Sequence, residues 1–161
     1  MSENLTIKTE RVDDIPLLLA QLEKMGVAER LNESFPTHGN WQGLSLGDVA
    51  SVWLCCILSE ADHRMNRVEP WALTRLATLH LCLDHVVQRE DFTDDRLASI
   101  LDYLSDDAQW NEFEGALNQR TLRVYDLTRQ RVRRDSTTAN GSVEVSEDGL
   151  FQWRVEQAQH A

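Results

Sequence analysis

The sequence predicts a mainly α-helical chain that finishes in a short β fragment. Three observations carry this. Apolar residues recur at helical spacing from Leu17 to Leu122, with capping signals between the runs. From Arg131 onward the period changes to an alternation containing β-branched residues. The length, 161 residues with 42 % hydrophobic and 27 % charged, suits one domain or one domain plus a piece of another.

The elements follow in order. Residues 1–12 read as an extended lead. Asp13 and Asp14 precede Ile15-Pro16, an N-cap followed by a proline in a first helical turn. Leu17, Leu18, Leu22 and Met25 continue that helix, and Gly26 is its C-cap. Val27 to Phe35 is a second short helix, stopped by Pro36, and Thr37 to Leu44 is a loop. Ser45, with Asp48 three residues on, forms an imperfect capping box for a helix to Ala61. Its apolar residues Val49, Val52, Trp53, Cys56 and Ile57 make it the expected central core helix.

Asp62 to Pro70 is a polar connection, and Trp71 to Leu83 is helical again. Asp91 to Asp95 cap a helix over Arg96 to Leu104, with Leu97, Ile100, Leu101 and Leu104 on one face. Ser105-Asp106-Asp107 cap the last helix, which runs to about Leu127 with Gly115 as a weak spot. Arg131 to Thr138 reads as a strand, Gly141 to Gly149 as turn-rich, and Leu150 to Val155 as a second strand.

Composition excludes several classes. The chain is too apolar for a disordered one. No apolar run approaches the ~20 residues of a membrane span, so no membrane partner is expected. The polar N-terminus is not a signal peptide. Three cysteines, two of them adjacent (Cys55, Cys56), cannot build a disulfide framework, which points to a reducing cytoplasm. The net charge of -11 argues against a free-standing nucleic-acid binder, because affinity for nucleic acid comes largely from neutralising phosphates.

That charge is unevenly spread. Between Arg120 and Arg134 stand six arginines (Arg120, Arg123, Arg129, Arg131, Arg133, Arg134) and one acid, Asp126. The segment carries +5 against -16 for the rest of the chain, together the -11 of the whole. Two readings stand side by side: a solvated helix face with a polar turn, or a set of planar forks for phosphate.

The remaining motifs have ordinary readings. His80, Cys82 and His85 lack the spacing of a structural metal site. Cys55 and Cys56 lie in an apolar helix as buried thiols. Asp62-His63-Arg64 is a polar knot at a helix end. The acid pairs Asp94-Asp95 and Asp106-Asp107 stand at helix starts, where the macrodipole favours them. The constellation that stands out is Arg131-Val132-Arg133-Arg134-Asp135-Ser136-Thr137-Thr138. A carboxylate at a strand end followed by hydroxyl residues can hold a divalent metal, and it can equally be an ordinary turn.

Two stretches carry a resemblance. The first is Glu10-Arg11-Val12-Asp13-Asp14-Ile15-Pro16-Leu17-Leu18, continuing through Phe35-Pro36-Thr37-His38-Gly39-Asn40-Trp41-Gln42-Gly43-Leu44-Ser45 to Leu58-Ser59-Glu60-Ala61-Asp62-His63-Arg64. The second is Leu122-Arg123-Val124-Tyr125-Asp126-Leu127, with Asp135-Ser136-Thr137-Thr138 and Glu147-Asp148-Gly149-Leu150-Phe151-Gln152. Together they make the chain resemble the N-terminal part of bacterial insertion-sequence transposases of the DDE type. The first looks like the helical lead domain of unknown function, and the second like the start of the RNase H-like α/β catalytic domain.

The resemblance implies a division into a helical lead domain, 1–119, and the start of a catalytic domain, 120–161. It implies that Asp135 matches the first catalytic carboxylate, a Mg²⁺ ligand in the family. It also implies transposon-end DNA as a partner, with Arg123, Arg129, Arg131, Arg133 and Arg134 as the DNA-facing residues. A homodimer or a full-length transposase is the implied protein partner.

Family members hold two metals with three acids, and one carboxylate cannot hold a two-metal site. The expectation is therefore a truncated transposase without activity of its own, or alternatively an interaction module that inhibits the full-length enzyme. Two departures accompany this. Arg134 replaces the usual apolar residue before the catalytic Asp, and Trp153-Arg154 stands where the family has an aromatic residue and glycine. Shifted one base forward, the Trp-Arg codons encode glycine, which predicts a frameshift near codon 153.

Overall fold

The computed structural model describes residues 9–127 in full and the backbone of 141–145 and 151–155. The chain divides into two compact units, Met1–Leu127 and Thr128–Ala161. The first is mainly helical.

Helix α1, Ile15–Met25, starts where Pro16 removes an amide that the first turn would leave without a partner anyway. It stops at Gly26, whose φ of 69° is left-handed and whose amide returns to the Glu23 and Leu22 carbonyls. Helix α2, Val27–Ser34, follows at once and ends before Pro36. Helix α3, Leu46–Glu60, is capped by Ser45, whose hydroxyl accepts from the Asp48 amide at 3.1 Å. Asn32 completes this cap by accepting from the Gly47 amide at 2.7 Å and donating to Ser45 Oγ at 3.0 Å.

Helix α3 is the centre of the unit and touches α1 and α2 as well as two of the later helices. Val49, Val52, Cys55 and Cys56 are fully buried on it, while Trp53 and Ile57 are only partly covered. Gly47 sets the α2–α3 approach, because a Cβ there would fall inside the Ala28 carbonyl. Each fully buried aliphatic side chain of this core contributes about 1.5–3 kcal/mol relative to exposure.

The polar connection expected over Asp62 to Pro70 is not a loop throughout. A 3-10 turn, Met65–Arg67, leads directly into α4, Val68–Leu73, and Val68 is fully buried. The single helix expected over Trp71 to Leu83 is two helices. The chain turns at Thr74-Arg75 before α5, Leu76–Leu83. The cause is tertiary: Arg75 is drawn inward by partners outside its own segment.

A second 3-10 turn, Arg89–Phe92, precedes α6, Asp94–Leu104. Thr93 is the cap of α6. Asp91, expected to belong to that cap, is instead buried and accepts from the amides of Leu44 and Gln88 at 2.9 and 2.8 Å. It thereby ties the 37–45 loop to the second half of the unit. Leu97 and Ile100 enter the core, but Leu101 lies on the exposed side. Helix α7, Asp107–Val124, is capped by Asp106, which accepts from the amides of Ala108 and Gln109. Phe113 is its buried anchor, between Phe35 and Trp110.

In the second unit, β1, Gly141–Val145, pairs antiparallel with β2, Phe151–Val155, Gly141 opposite Val155 and Val145 opposite Phe151. The segment expected to be turn-rich from Gly141 is therefore extended as far as Val145. The strand expected over Arg131 to Thr138 lies outside the described residues.

Candidate functional site

Of the residues singled out for DNA and metal, Arg123 is described. Asp135, Arg129, Arg131, Arg133 and Arg134 lie outside the described residues. Arg123 is exposed in the last turn of α7, where the helix dipole favours a cation. That turn is held against α1 in two ways. Gln21 donates to the Tyr125 hydroxyl, and the Lys24 ammonium lies 5.5 Å from the Tyr125 ring centre.

Arg120, one turn earlier, is committed elsewhere. Its Nη1 is 3.2 Å from Glu29, and its guanidinium fills the space that a Cβ on Gly26 would need, 2.6 Å away. The six-arginine segment thus starts with one structural arginine and one exposed one.

A concentration of arginines that the linear sequence does not reveal lies elsewhere. Arg11, Arg64, Arg67 and Arg75 line one cleft of about 400 Å³ with Glu60, Asp62, Trp71 and Thr74. Arg75 is its buried member. Its Nη2 lies 3.2 Å from Glu60 and 3.6 Å from Asp13, its Nη1 donates to the Trp71 carbonyl at 3.1 Å, and its guanidinium centre lies 4.8 Å from the Trp71 ring. Trp71 Nε1 in turn donates to the same Glu60 oxygen at 3.0 Å.

Arg64 is held by Asp62 through both its backbone amide and its side chain, which keeps the Asp62 carboxyl far below its usual range. Arg11 pairs with Asp13 at 2.6 Å. Asp13 is also lowered, by the hydrogen bond from Arg11 first. Three of the four guanidiniums are therefore neutralised, by Glu60 and Asp62 of the cleft wall and by Asp13 beside it. Arg67 makes no ion pair among the described residues. The surplus is one charge, so the cleft reads first as an ion-paired seam that fastens the N-terminal segment to α3 and α4. The knot Asp62-His63-Arg64 was its visible signal. Arg11 and Arg75 were too distant along the chain to be grouped with it.

The other sequence candidates fall as follows. His80 Nδ1 is 2.5 Å from the His85 carbonyl oxygen, a closure of the turn after α5. Cys55 and Cys56 are buried thiols as expected, and burial pushes them up to about 12 and about 11. Among the described residues no group of three His, Cys, Asp or Glu side chains is placed to hold a metal. No helix of the described residues is long and apolar enough to cross a membrane. Comparisons of the chain with family models, with curated proteins and with solved structures give no match.

Proposed function

We propose that residues 9–127 are the lead domain of a DDE-type DNA transposase and act through protein contact, with DNA engaged by the arginines at and beyond the end of α7. The observation that carries this reading is the segregation of charge. Residues 9–127 hold 21 acids against 10 bases, and six of those bases (Arg11, Arg30, Arg64, Arg75, Arg89, Arg120) already pair with carboxylates. Such a surface repels phosphate and suits a protein partner, either a second copy or a full-length transposase. The basic run then opens at Arg123, which is exposed and makes no ion pair among the described residues.

In this reading the β1–β2 hairpin opens an RNase H-like α/β domain, and Asp135 is its first carboxylate. In the parent family that domain cleaves and transfers DNA strands with Mg²⁺. The described residues supply no metal-ligating trio, so the Mg²⁺ assignment rests on Asp135 alone, and no step is derived through the metal. This polypeptide by itself is proposed to be without strand-cleaving activity. The acidic surface favours one second reading, a stand-alone interaction module that pairs with a full-length transposase and inhibits it.

The deciding experiment is a gel shift with DNA from the two flanks of the gene, against random DNA, over a salt series. The expected result is binding that weakens steeply with salt and disappears in an Arg131/Arg133/Arg134 triple-alanine variant. Equal binding by that variant would sink the assignment of the arginine run. A nicking assay with Mg²⁺ is expected to show no cleavage, and cleavage would overturn the reading of the chain as inactive.

A further inference from the structure

Helices α1, α2, α3 and α5 enclose a second cavity, of about 250 Å³. Its apolar wall is Leu19, Leu22, Ala28 and Leu83, and its polar groups are Glu23, Glu29, Asp48 and Ser51. Glu29 is engaged by Arg120. Asp48 accepts one hydrogen bond, from the Ser45 hydroxyl at 2.6 Å, and keeps its other acceptor positions. Glu23 makes no ion pair among the described residues, and it is exposed at the mouth.

Ser51 is the second observation. It is only 3 % exposed, it lines the cavity one turn beyond Asp48, and its hydroxyl has no hydrogen-bond partner among the described residues. A buried hydroxyl without a partner costs stability unless something in the cavity satisfies it. Cys82, also in the wall, is kept a neutral thiol by burial, so it adds no competing charge.

The geometry points to a binding site for one organic cation, an ammonium or guanidinium on a short apolar stem. The stem lies along Leu19, Leu22 and Leu83, the cationic head meets Glu23 and Asp48, and Ser51 takes the remaining donor. The volume lies at or below the lower end of drug-sized ligand pockets and suits a single basic side chain or a small alkyl amine. The carboxylates exclude an anion. The same chemistry comes from a free amine or from an arginine or lysine of a docking protein. This site stands independently of the transposase reading.

The test is an amide-resolved NMR titration of the whole chain with butylguanidinium, with neutral butylurea of the same shape, and with the blocked peptide acetyl-Gly-Arg-Gly-amide. The expected result is saturable shifts centred on Ser51 and Leu83 for butylguanidinium and none for butylurea. Removing the charges in Glu23→Gln/Asp48→Asn should weaken binding by roughly tenfold or more, since charge-assisted hydrogen bonds are at stake. Ser51→Ala, which deletes an unsatisfied group and keeps the helix, should weaken it by a few-fold. Saturation by the peptide alone would support the site with a protein side chain as its source. No saturation by either cation, equal binding of butylurea, or an unchanged affinity in the charge-removed variant would overturn it.

Discussion

Arg75 shows how one residue decides local structure. Its guanidinium is buried and contacts Glu60, Asp13, Thr74 and the face and carbonyl of Trp71. Replacing it by alanine removes these bonds and leaves Glu60 facing the indole with one donor fewer. Breaking a fully buried pair costs about 3–5 kcal/mol, but Glu60 and Asp13 are partly exposed, so Arg75→Ala should cost about 2 kcal/mol. Urea unfolding monitored by circular dichroism measures this, and an unchanged midpoint would contradict the role given to Arg75. The cysteines make a second residue-scale case. Cys55 and Cys56 are sealed, and Cys82 is half-buried. With a disulfide-exchange reagent at neutral pH, Cys82 should react slowly and the other two only after unfolding. The folded thiols titrate above their ordinary value of 9.0, so the stability they contribute is complete below pH 9.0 and declines as pH rises past it. The ion pairs of Arg75 were not legible in sequence, because Glu60 and Asp13 stand 15 and 62 residues away.

At the scale of elements, capping was the legible part. Asp14-Ile15-Pro16, Gly26, Ser45 and Asp106 mark their helix ends in the sequence, and the structure puts the ends there. The break between α4 and α5 was not legible, since the apolar run from Val68 to Leu83 contains no glycine and no late proline. Helix α5 also lacks a cap of its own, because Arg75 contributes no side-chain bond. Glu10, far away in the chain, supplies it by accepting from the amides of Ala77 and Thr78 at 3.0 and 2.8 Å and from the Thr78 hydroxyl. Burial acts to raise the Glu10 carboxyl, and these hydrogen bonds outweigh it, so it titrates below its ordinary value of 4.5. A depressed carboxyl stabilises above the unfolded value and loses that contribution as pH falls through the folded one. Amide protection on α5 should therefore decline below about pH 4.5 in the native protein, and Glu10→Gln should flatten this dependence. Exchange that ignores pH there would show that Glu10 does not hold the helix. The α2–α3 crossing gives a second test at this scale. A methyl group at Gly47 drives into the Ala28 carbonyl, a backbone atom that cannot rotate away, so Gly47→Ala should cost about 1–3 kcal/mol in thermal melts despite alanine's better helix propensity.

At the scale of the molecule, the question is which arginines are free to meet a polyanion. The linear sequence groups Arg120 with Arg123 and treats both as parts of one basic run. The fold separates them: Arg120 closes onto Glu29 and Gly26, and Arg123 stays in solvent at the end of α7. It also brings Arg11, Arg64 and Arg75 into a cleft that looks basic by residue count and is nearly neutral by pairing. Counting charges from sequence therefore overstates one patch and misses the other, because pairing across distant segments appears only when the chain is folded. This difference yields a discriminating measurement. If the run beginning at Arg123 faces DNA, each phosphate contact contributes about 0.9 to the slope of log affinity against log salt. Arg123→Ala should lower that slope by about 0.9 and weaken binding alike to specific and random DNA. Arg120→Ala should leave the slope unchanged and instead reduce thermal stability slightly, since it removes a half-exposed ion pair and the packing under Gly26. Arg67→Ala, which removes the one surplus charge of the cleft, should change neither slope nor stability. A slope that falls with Arg67→Ala and not with Arg123→Ala would move the DNA-facing surface from the end of α7 to the α3–α4 cleft.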